Sequence, residues 1–202
     1  MSAGDVFNLI GRTLGFSFIA GINLYATVAI LGLATRFGWV DLPPQYRVFD
    51  NNWIIGTAVI LYVVEFVADK IPWVDSVWDA IHTVIRPAGG ALIAVASIGH
   101  AQPWVQAVAA IAGAVLATST HVAKAGTRAA ANTSPEPFSN WALSFAEDGF
   151  VLGLGLLALT HPIAAGVVVI VALAAIAFAL RWLIRAIRRR YATGVRQPAR
   201  ST

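Results

Sequence analysis

The sequence contains no cysteine, which excludes disulfide bonds, iron–sulfur clusters and thiolate zinc sites. Any bound metal ion would therefore need carboxylate or imidazole ligands. Charged residues are also scarce: they make up 12% of the 202 residues, against roughly 25% in soluble domains. Hydrophobic residues make up 58%, and the mean hydropathy is +0.72. A water-soluble fold of this size cannot bury so much apolar surface, so we expect an integral membrane protein.

Long polar segments are missing as well. The connections between apolar segments have at most about 20 residues, too few for a soluble domain of roughly 50 residues or more. Residues 1–202 are therefore predicted to form a single membrane domain. The segment Met1–Asp5 lacks the basic region of a signal peptide, so we expect the first helix to be retained. The net charge of +4 lies largely in a C-terminal tail beside apolar helix, which indicates a membrane anchor and no nucleic-acid partner.

Six apolar segments are candidates for membrane spans, because a helix needs roughly 20 apolar residues to cross a bilayer. They are Gly11–Ala34, Trp53–Ala68, Ala88–Gly99, Trp104–Thr120, Trp141–Leu159 and a segment that follows His161-Pro162 and ends at Leu180. The third is too short to cross upright, so it is a half-span, a re-entrant segment, or part of a helix that extends back through Thr83–Pro87. We predict an all-α integral membrane protein with about six transmembrane or partly re-entrant helices.

The distribution of basic residues predicts an orientation. A tail over residues 181–202 begins directly after the last span with Arg181, Arg185, Arg188, Arg189 and Arg190. Positive residues near span ends mark the cytoplasmic side. Six crossings would then place both termini in the cytoplasm.

Two parts of the chain resemble each other. Thr35-Arg36, a proline-containing loop and Asn52-Trp53 are matched later by Thr127-Arg128, Pro135 with Pro137, and Asn140-Trp141. The repeats would cover residues 7–100 and 103–190, with three crossings each. Because three is odd, the second copy would enter the membrane upside down, as in the inverted repeats of many transporters.

The segment between Pro72 and Pro87 has one polar face. Asp75, Asp79, His82 and Arg86 follow one another at spacings of four, three and four. This pattern predicts an amphipathic helix that lies in the membrane interface with its charged face in water. A second interpretation uses Asp75, Asp79 and His82 as ligands of a divalent cation. The sequence leaves both interpretations open.

Ionisable residues also fall within the apolar spans, where a charge costs about 3 kcal/mol on insertion scales and therefore usually has a role. Glu65 and Asp69 share one helical face at the inner end of the second span. In the simplest interpretation, Lys70 neutralises Asp69. Glu147 and Asp148 lie about two turns inside the fifth span, and because adjacent side chains point to different sides of a helix, at least one must face the bundle.

Three basic residues, His121, Lys124 and Arg128, share one stripe of the fourth span and its extension. Such a stripe suits an anionic partner. That partner is either a lipid phosphate or the carboxylates of the neighbouring spans.

These segments resemble a family of bacterial multi-pass membrane proteins, the domain of unknown function 4126 family. The resemblance rests on Gly21-Ile22-Asn23-Leu24-Tyr25, Glu65 through Pro72, Asp75 through Thr83, Ile85-Arg86-Pro87, His121 with Lys124, Ser139-Asn140, Ser144 and Glu147-Asp148. It implies a multi-pass protein of the bacterial inner (plasma) membrane and brings no assigned activity with it.

Three functions remain open. The first is a small multi-pass transporter or channel, cation- or proton-linked, with a charged site near the cytoplasmic side between the repeats. Its candidate binding residues are Glu65, Asp69, Lys70, His121, Lys124, Arg128, Asn140, Glu147 and Asp148. We expect membrane lipids and a small ion or solute as partners; a homo-oligomer is compatible with the sequence.

The alternative is a membrane-embedded, metal-dependent enzyme that acts on lipid head groups. A divalent cation at Asp75, Asp79 and His82 would be its cofactor, and Arg86, Lys124 and Arg128 would hold phosphate. No established phosphatase or transferase signature and no Gly-rich phosphate loop is present, so no catalytic residue is assigned. The third reading is a lipid-binding structural membrane protein whose polar groups only hold helices together.

Overall fold

The computed structural model describes residues 2–133 and 138–194, with side chains described as far as residue 189. Within these ranges the chain is helical and has no strand. Its elements are α1 (Ala3–Ala20), α2 (Leu24–Phe37), a 3₁₀-helix (Pro44–Phe49), α3 (Asn52–Ala68), α4 (Pro72–Ile98), α5 (Pro103–Ala131), α6 (Phe138–Thr160) and α7 (Pro162–Gly194). The chain divides into two units, residues 1–169 and 170–202. Arg190, as a side chain, and residues 195–202 of the predicted basic tail lie outside the described part.

Four helices are long and apolar enough to cross a membrane: α4, α5, α6 and residues Pro162–Arg189 of α7. The helices α2 and α3 are apolar but shorter. Large apolar side chains such as Val84, Leu92 and Ile111 point outward and are exposed, which suits a surface covered by lipid. The predicted all-α membrane protein is confirmed.

Within residues 1–169, one end of the helix bundle is rich in polar side chains. At this end, which we call the polar end, α3 and α5 finish and α4 and α6 begin. Asn132, which follows α5, joins the starts of α4 and α6, because its side-chain amide donates hydrogen bonds to the Pro72 carbonyl and to Ser76 Oγ and accepts one from Asn140. At the opposite end, Gln45 of the 3₁₀-helix donates to the carbonyl of Ser97 near the end of α4.

The first two helices both have their outer ends at that opposite end. Arg12 of α1 donates to the Leu159 carbonyl at the end of α6. Gly32 of α2 lies so close to Phe49 and Ile55 that a Cβ would not fit. A cavity of about 330 Å³ is lined jointly by the first part of α1 and by Pro43 and Gln45, which follow α2. The chain therefore runs from this opposite end into the bundle along α1 and back to the same end along α2.

The tip of this α1–α2 hairpin is the segment Gly21–Asn23, which lies deep in the bundle. A Cβ at Gly21 would collide with Thr120 Oγ1 and the Ala117 carbonyl of α5. Asn23 caps α2 by accepting a hydrogen bond from the Ala26 amide at 2.9 Å. Glycine thus permits the close approach, and asparagine starts the returning helix.

The predicted continuous span Gly11–Ala34 is wrong for this reason. Its apolar composition is uniform enough to mimic one crossing, but the chain breaks where a small residue precedes a good N-cap. The six-crossing count treated this segment as one crossing, whereas α1 runs into the bundle from one end and α2 runs back to the same end.

The predicted interfacial helix is instead the first half of α4, a single helix of 27 residues that continues through Pro87. Its polar face is buried: Asp75, Asp79, His82 and Arg86 are all at most 6% exposed. The apolar residues of the opposite face, such as Val77, are exposed. The helix therefore turns its charges toward its neighbours and its apolar side outward, and of the three alternatives for Ala88–Gly99 the backward extension is correct.

Helices α4 and α5 approach each other closely at two glycines. A Cβ at Gly90 would meet the Gly113 backbone, and a Cβ at Gly113 would meet the Gly90 carbonyl. This contact brings the charged face of α4 against the basic stripe of α5.

Candidate functional site

Arg86 is the centre of a buried group of charges. Its side chain is 0% exposed. One terminal nitrogen contacts Glu65 Oε1 of α3 at 2.7 Å, and the other contacts Asp79 Oδ1, two turns earlier on α4, at 3.1 Å. One buried guanidinium therefore holds two carboxylates from two helices.

Lys124 of α5 extends this group toward the polar end. Its ammonium nitrogen lies 2.9 Å from Asp69 Oδ2 and 3.6 Å from Glu65 Oε1. It also lies 3.6 Å from Glu147 Oε2 of α6. Lys124 thus joins α3, α5 and α6, with its side chain only 2% exposed.

Arg128, one turn further along α5, completes the group. Its guanidinium binds the Glu147 carboxylate through two nitrogens: one terminal nitrogen lies 2.5 Å from Oε2, and Nε lies 3.1 Å from Oε1. It also contacts Asp69 Oδ2 at 3.3 Å and donates to the backbone carbonyls of Asp69 and Asn140. We call the chain of contacts from Asp79 through Arg86, Glu65, Lys124, Asp69 and Arg128 to Glu147 the ionic network.

The hairpin tip meets the ionic network with backbone groups. Lys124 donates to the Ile22 carbonyl at 3.3 Å, and Arg86 makes a longer contact of 3.4 Å with the Gly21 carbonyl. These carbonyls lie at the C-terminal end of α1, where the helix dipole is negative and favours cations. The N-terminal end of α2, where the dipole is positive, brings Asn23 Nδ2 to 3.5 Å from Asp148 Oδ1.

Lys70 does not pair with Asp69 as the simplest interpretation of the sequence proposed. Its ammonium lies 3.1 Å above the Phe66 ring, donates to the Phe66 carbonyl and contacts Ser144 Oγ at 3.3 Å. Burial lowers the pKa of Lys70, and the carboxylates of Asp148 and Asp69 oppose that shift. Asp69 instead uses Lys124 and Arg128, because these lysine and arginine side chains reach it from the neighbouring helix.

His121 joins the network as a neutral side chain. Its Nδ1 lies 2.7 Å from an Arg86 nitrogen, and because arginine is only a donor, Nδ1 must accept. The proton is then on Nε2, which donates to Thr83 Oγ1 at 3.1 Å. Thr83 in turn donates to the Asp79 carbonyl. A second proton on His121 would place an N–H against the guanidinium.

His82 forms a separate branch beside the network. Its Nδ1 donates to the Trp78 carbonyl at 2.7 Å, and its Nε2 lies 2.9 Å from the Tyr25 hydroxyl at the start of α2. The ring stacks on Trp78 at a centroid distance of 4.6 Å. Both nitrogens of His82 are therefore occupied by protein groups.

Acidic groups outnumber basic groups in this region. Six carboxyl groups (Glu65, Asp69, Asp75, Asp79, Glu147, Asp148) face four cationic side chains (Lys70, Arg86, Lys124, Arg128), an excess of two. Several carboxylate oxygens are buried without a hydrogen-bond partner among the described residues: Glu65 Oε2, Asp69 Oδ1, Asp148 Oδ2 and both oxygens of Asp75. The site can therefore accept protons or a cation.

The predicted metal and phosphate sites fit this geometry poorly. In the part of the chain that the structure describes, no three His, Asp or Glu side chains form a group that could hold a metal ion. Of the predicted ligands, Asp79 is bound to Arg86 and both nitrogens of His82 have other partners. A phosphate at Arg86, Lys124 and Arg128 would have to displace the carboxylates that these cations already bind.

The other predicted site residues do converge. Asn140 is buried, accepts from Arg128 through its carbonyl and donates to Asn132. Glu147 and Asp148 both reach the interior, although they are adjacent in the sequence. The contact of the hairpin tip with the charges was not predicted; the signal in the sequence that could have pointed to a break is Gly21, two residues before the N-cap Asn23.

Comparison with known proteins identifies a family and nothing narrower. No curated protein and no solved structure matches the chain. A family model, described as Domain of unknown function (DUF4126), matches residues 10–182, which include every residue of the ionic network. The chain belongs to the domain of unknown function 4126 family.

Proposed function

We propose that the protein is a small membrane transporter or channel that is linked to a cation or to protons. The observation that carries this proposal is the excess of two carboxyl groups in and around the buried ionic network of the membrane helices. Four helices and the hairpin tip contribute to that network.

The energetic cost of the excess charge supports this function. Burying an unpaired ion costs several kcal/mol even after relaxation of the protein. Two carboxylates without a matching cation would therefore be occupied by protons or by a small cation for much of the time. A site that must be neutralised by an ion from solution is a site that can take up and release that ion.

The α1–α2 hairpin supports the same function. Transporters often place their binding sites at discontinuous helices, whose ends turn backbone dipoles toward charged groups near the middle of the membrane. Here the end of α1 turns carbonyls toward Lys124 and Arg86, and the start of α2 turns its capping residue toward Asp148. A shift of the hairpin would change the contacts of two network residues, Lys124 and Arg86, and of Asp148 at once.

A re-entrant hairpin also favours a different topology from the six-crossing count. With such a hairpin, five helices of the described part, α3 to α7, would cross the membrane, and five crossings would place the two termini on opposite sides. The basic residues that follow the last span favour a cytoplasmic C-terminus, so the N-terminus would be periplasmic. The inverted repeat stays a prediction; in its favour, Asn52-Trp53 and Asn140-Trp141 both stand near the start of a helix, α3 and α6.

Charge movement across a protein-containing membrane tests the proposal. Purified protein in liposomes on a solid-supported membrane is exposed to jumps in the concentration of H⁺, Na⁺ or K⁺. We expect a transient current for at least one of these ions and its loss in Glu65→Gln, which is isosteric and leaves Arg86 with Asp79.

Asp50→Asn is the matched control, because Asp50 pairs with Arg36 outside the ionic network, with both side chains about one-third exposed. It should retain the wild-type current. Equal currents in Glu65→Gln and wild type, or no current above that of protein-free liposomes for any of the three ions, would end the proposal.

A further inference from the structure

A crevice between α4 and α5 leads from the polar end toward the ionic network. It has a volume of about 230 Å³. Polar side chains line it, namely Asp75, Ser76, Asp79, Thr83, Arg128 and Asn132, and the rest of the wall is alanine. The crevice thus runs along two turns of α4, from Asn132 at the surface to Thr83, which contacts His121.

Asp75 stands apart from the other carboxylates of this region. It is 1% exposed, yet neither of its oxygens has a hydrogen-bond partner in the described ranges 2–133 and 138–194. Buried polar groups are almost always satisfied, so such a group in a crevice calls for a functional explanation. The charged groups that act on Asp75 are Arg128 and Lys124 of α5, Asp79 of its own helix and Asp69 at the end of α3.

The chemistry of the crevice favours a proton over a metal ion. A metal ion would need several oxygen or imidazole ligands, but no group of three His, Asp or Glu side chains in the described chain could provide them. Arg128, which lines the same crevice, would repel a divalent metal ion with about twice the force that it exerts on a proton. A proton needs only one carboxyl oxygen, and it removes the cost of a buried, unpaired charge.

We infer that Asp75 is a proton-exchange site beside the ionic network and that it reaches water through the crevice between α4 and α5. On uptake, a proton from hydronium in the crevice forms an O–H bond with the Asp75 carboxylate and leaves water behind. On release, that bond breaks and the proton returns to water, so that the charge of the site falls by one. This inference rests on the proposed function and names H⁺ as the ion.

Water access can be tested by cysteine labelling, because the natural chain has no cysteine to remove. Ala80→Cys places a thiol in the crevice, and Ile81→Cys places one on the next residue, which is 53% exposed on the apolar face. Only a water-exposed thiol ionises and reacts readily, so a charged methanethiosulfonate should label Ala80→Cys about tenfold faster or more. Equal rates would overturn the access route.

The proton itself can be followed by infrared difference spectroscopy of the full-length protein in liposomes, between acidic and alkaline pH. We expect a carboxylic-acid C=O band in the wild type, its loss in Asp75→Asn, and its return at a shifted frequency in Asp75→Glu. Asp50→Asn should leave it unchanged. If Asp75→Asn does not fold, the shift in Asp75→Glu alone decides.

A band that is unchanged in Asp75→Asn, or unshifted in a folded Asp75→Glu, would overturn the inference. Its failure is distinguishable from failure of the proposed function. A wild type without currents defeats transport whatever the infrared spectra show, whereas Na⁺ or K⁺ currents combined with an unchanged band leave transport standing and remove Asp75.

Discussion

Removal of the Arg86 charge should destabilise the protein far more than removal of a charge at an exposed ion pair. Arg86→Gln deprives two carboxylates of their guanidinium at once, Glu65 at 2.7 Å and Asp79 at 3.1 Å. The side chains of Arg86 and Glu65 are both 0% exposed, so water cannot replace the lost contact without rearrangement.

The magnitude follows from the geometry of the remaining partners. Breaking a buried ion pair on one side usually costs about 3–5 kcal/mol. Glu65 keeps Lys124 at 3.6 Å, and the Asp79 side chain is 8% exposed, so both have partial compensation. We therefore expect Arg86→Gln to lower the free energy of unfolding by about 4 kcal/mol, near the middle of that range.

The control is Arg36→Gln, which breaks the pair with Asp50, whose side chains are 31% and 39% exposed. Exposed pairs contribute about 0–1 kcal/mol. Since 1 kcal/mol shifts the unfolding temperature of a chain of this size by roughly 2–4 °C, the expected decreases are roughly 8–16 °C for Arg86→Gln and at most about 4 °C for the control.

Tryptophan fluorescence during heating in detergent measures both variants, because the chain has seven tryptophans. The double variant Glu65→Gln with Arg86→Gln should be more stable than the sum of the two single changes predicts, by about 2 kcal/mol. If Arg86→Gln and Arg36→Gln lower the unfolding temperature equally, the buried ionic network is not formed as described.

Three further predictions concern the hairpin. Gly21→Ala should lower the free energy of unfolding by about 1–3 kcal/mol, because the added Cβ collides with α5. Its control is Gly126→Ala, where the described structure leaves open space; this change should be neutral or stabilising by up to about 1 kcal/mol. Thermal unfolding measures both variants, and equal shifts would contradict the close approach of Gly21 to α5. Asn23→Ala should lower the stability by about 1 kcal/mol, because it removes the cap of α2. Asn23→Asp keeps the cap but sets a second carboxylate against Asp148, so it should be less stable than Asn23→Ala at neutral pH and recover as the pH falls. An Asp variant as stable as the wild type at pH 7 would refute the contact with Asp148. Ser2→Cys should react with an impermeant thiol reagent in intact cells whose outer membrane has been made permeable, because the proposed topology puts the N-terminus outside; labelling only after lysis would restore the six-crossing topology.

The sequence predicted the class and most helix positions because apolar length is a strong signal in membranes. The second, fourth, fifth and sixth predicted spans lie within α3, α5, α6 and α7, since each begins near polar residues or proline; α5 and α7 continue beyond the predicted ends Thr120 and Leu180. The hairpin was missed because apolar segments on both sides of Gly21–Asn23 have the same composition as one long span. Hydropathy records where the chain is apolar and carries no information about the direction of the chain after a break.

The candidate site was predicted only in part, because helical spacing shows which residues share a face but does not show which helices pack together. Spacings of three and four placed Glu65 with Asp69, and His121 with Lys124 and Arg128, each on one face. Four of the five belong to the ionic network, and His121 contacts it through Arg86. The polar face of α4 had two solutions, because an amphipathic helix can turn its charges toward water or toward a polar neighbour. The basic stripe of α5 decides between them, and its contact with α4 depends on Gly90 and Gly113, which hydropathy does not reveal.

The most direct test asks whether the ionic network takes part in ion transport or only holds the helices together. The double variant Glu65→Gln with Arg86→Gln removes one acid and one base, so the net charge of the network is unchanged and much of the stability lost in Arg86→Gln alone should return. Its current after an ion jump is measured beside that of the wild type, with the folded state of both confirmed by thermal unfolding. We predict a folded protein without a current; a folded double variant with the wild-type current would contradict the account and leave the charges a purely structural role.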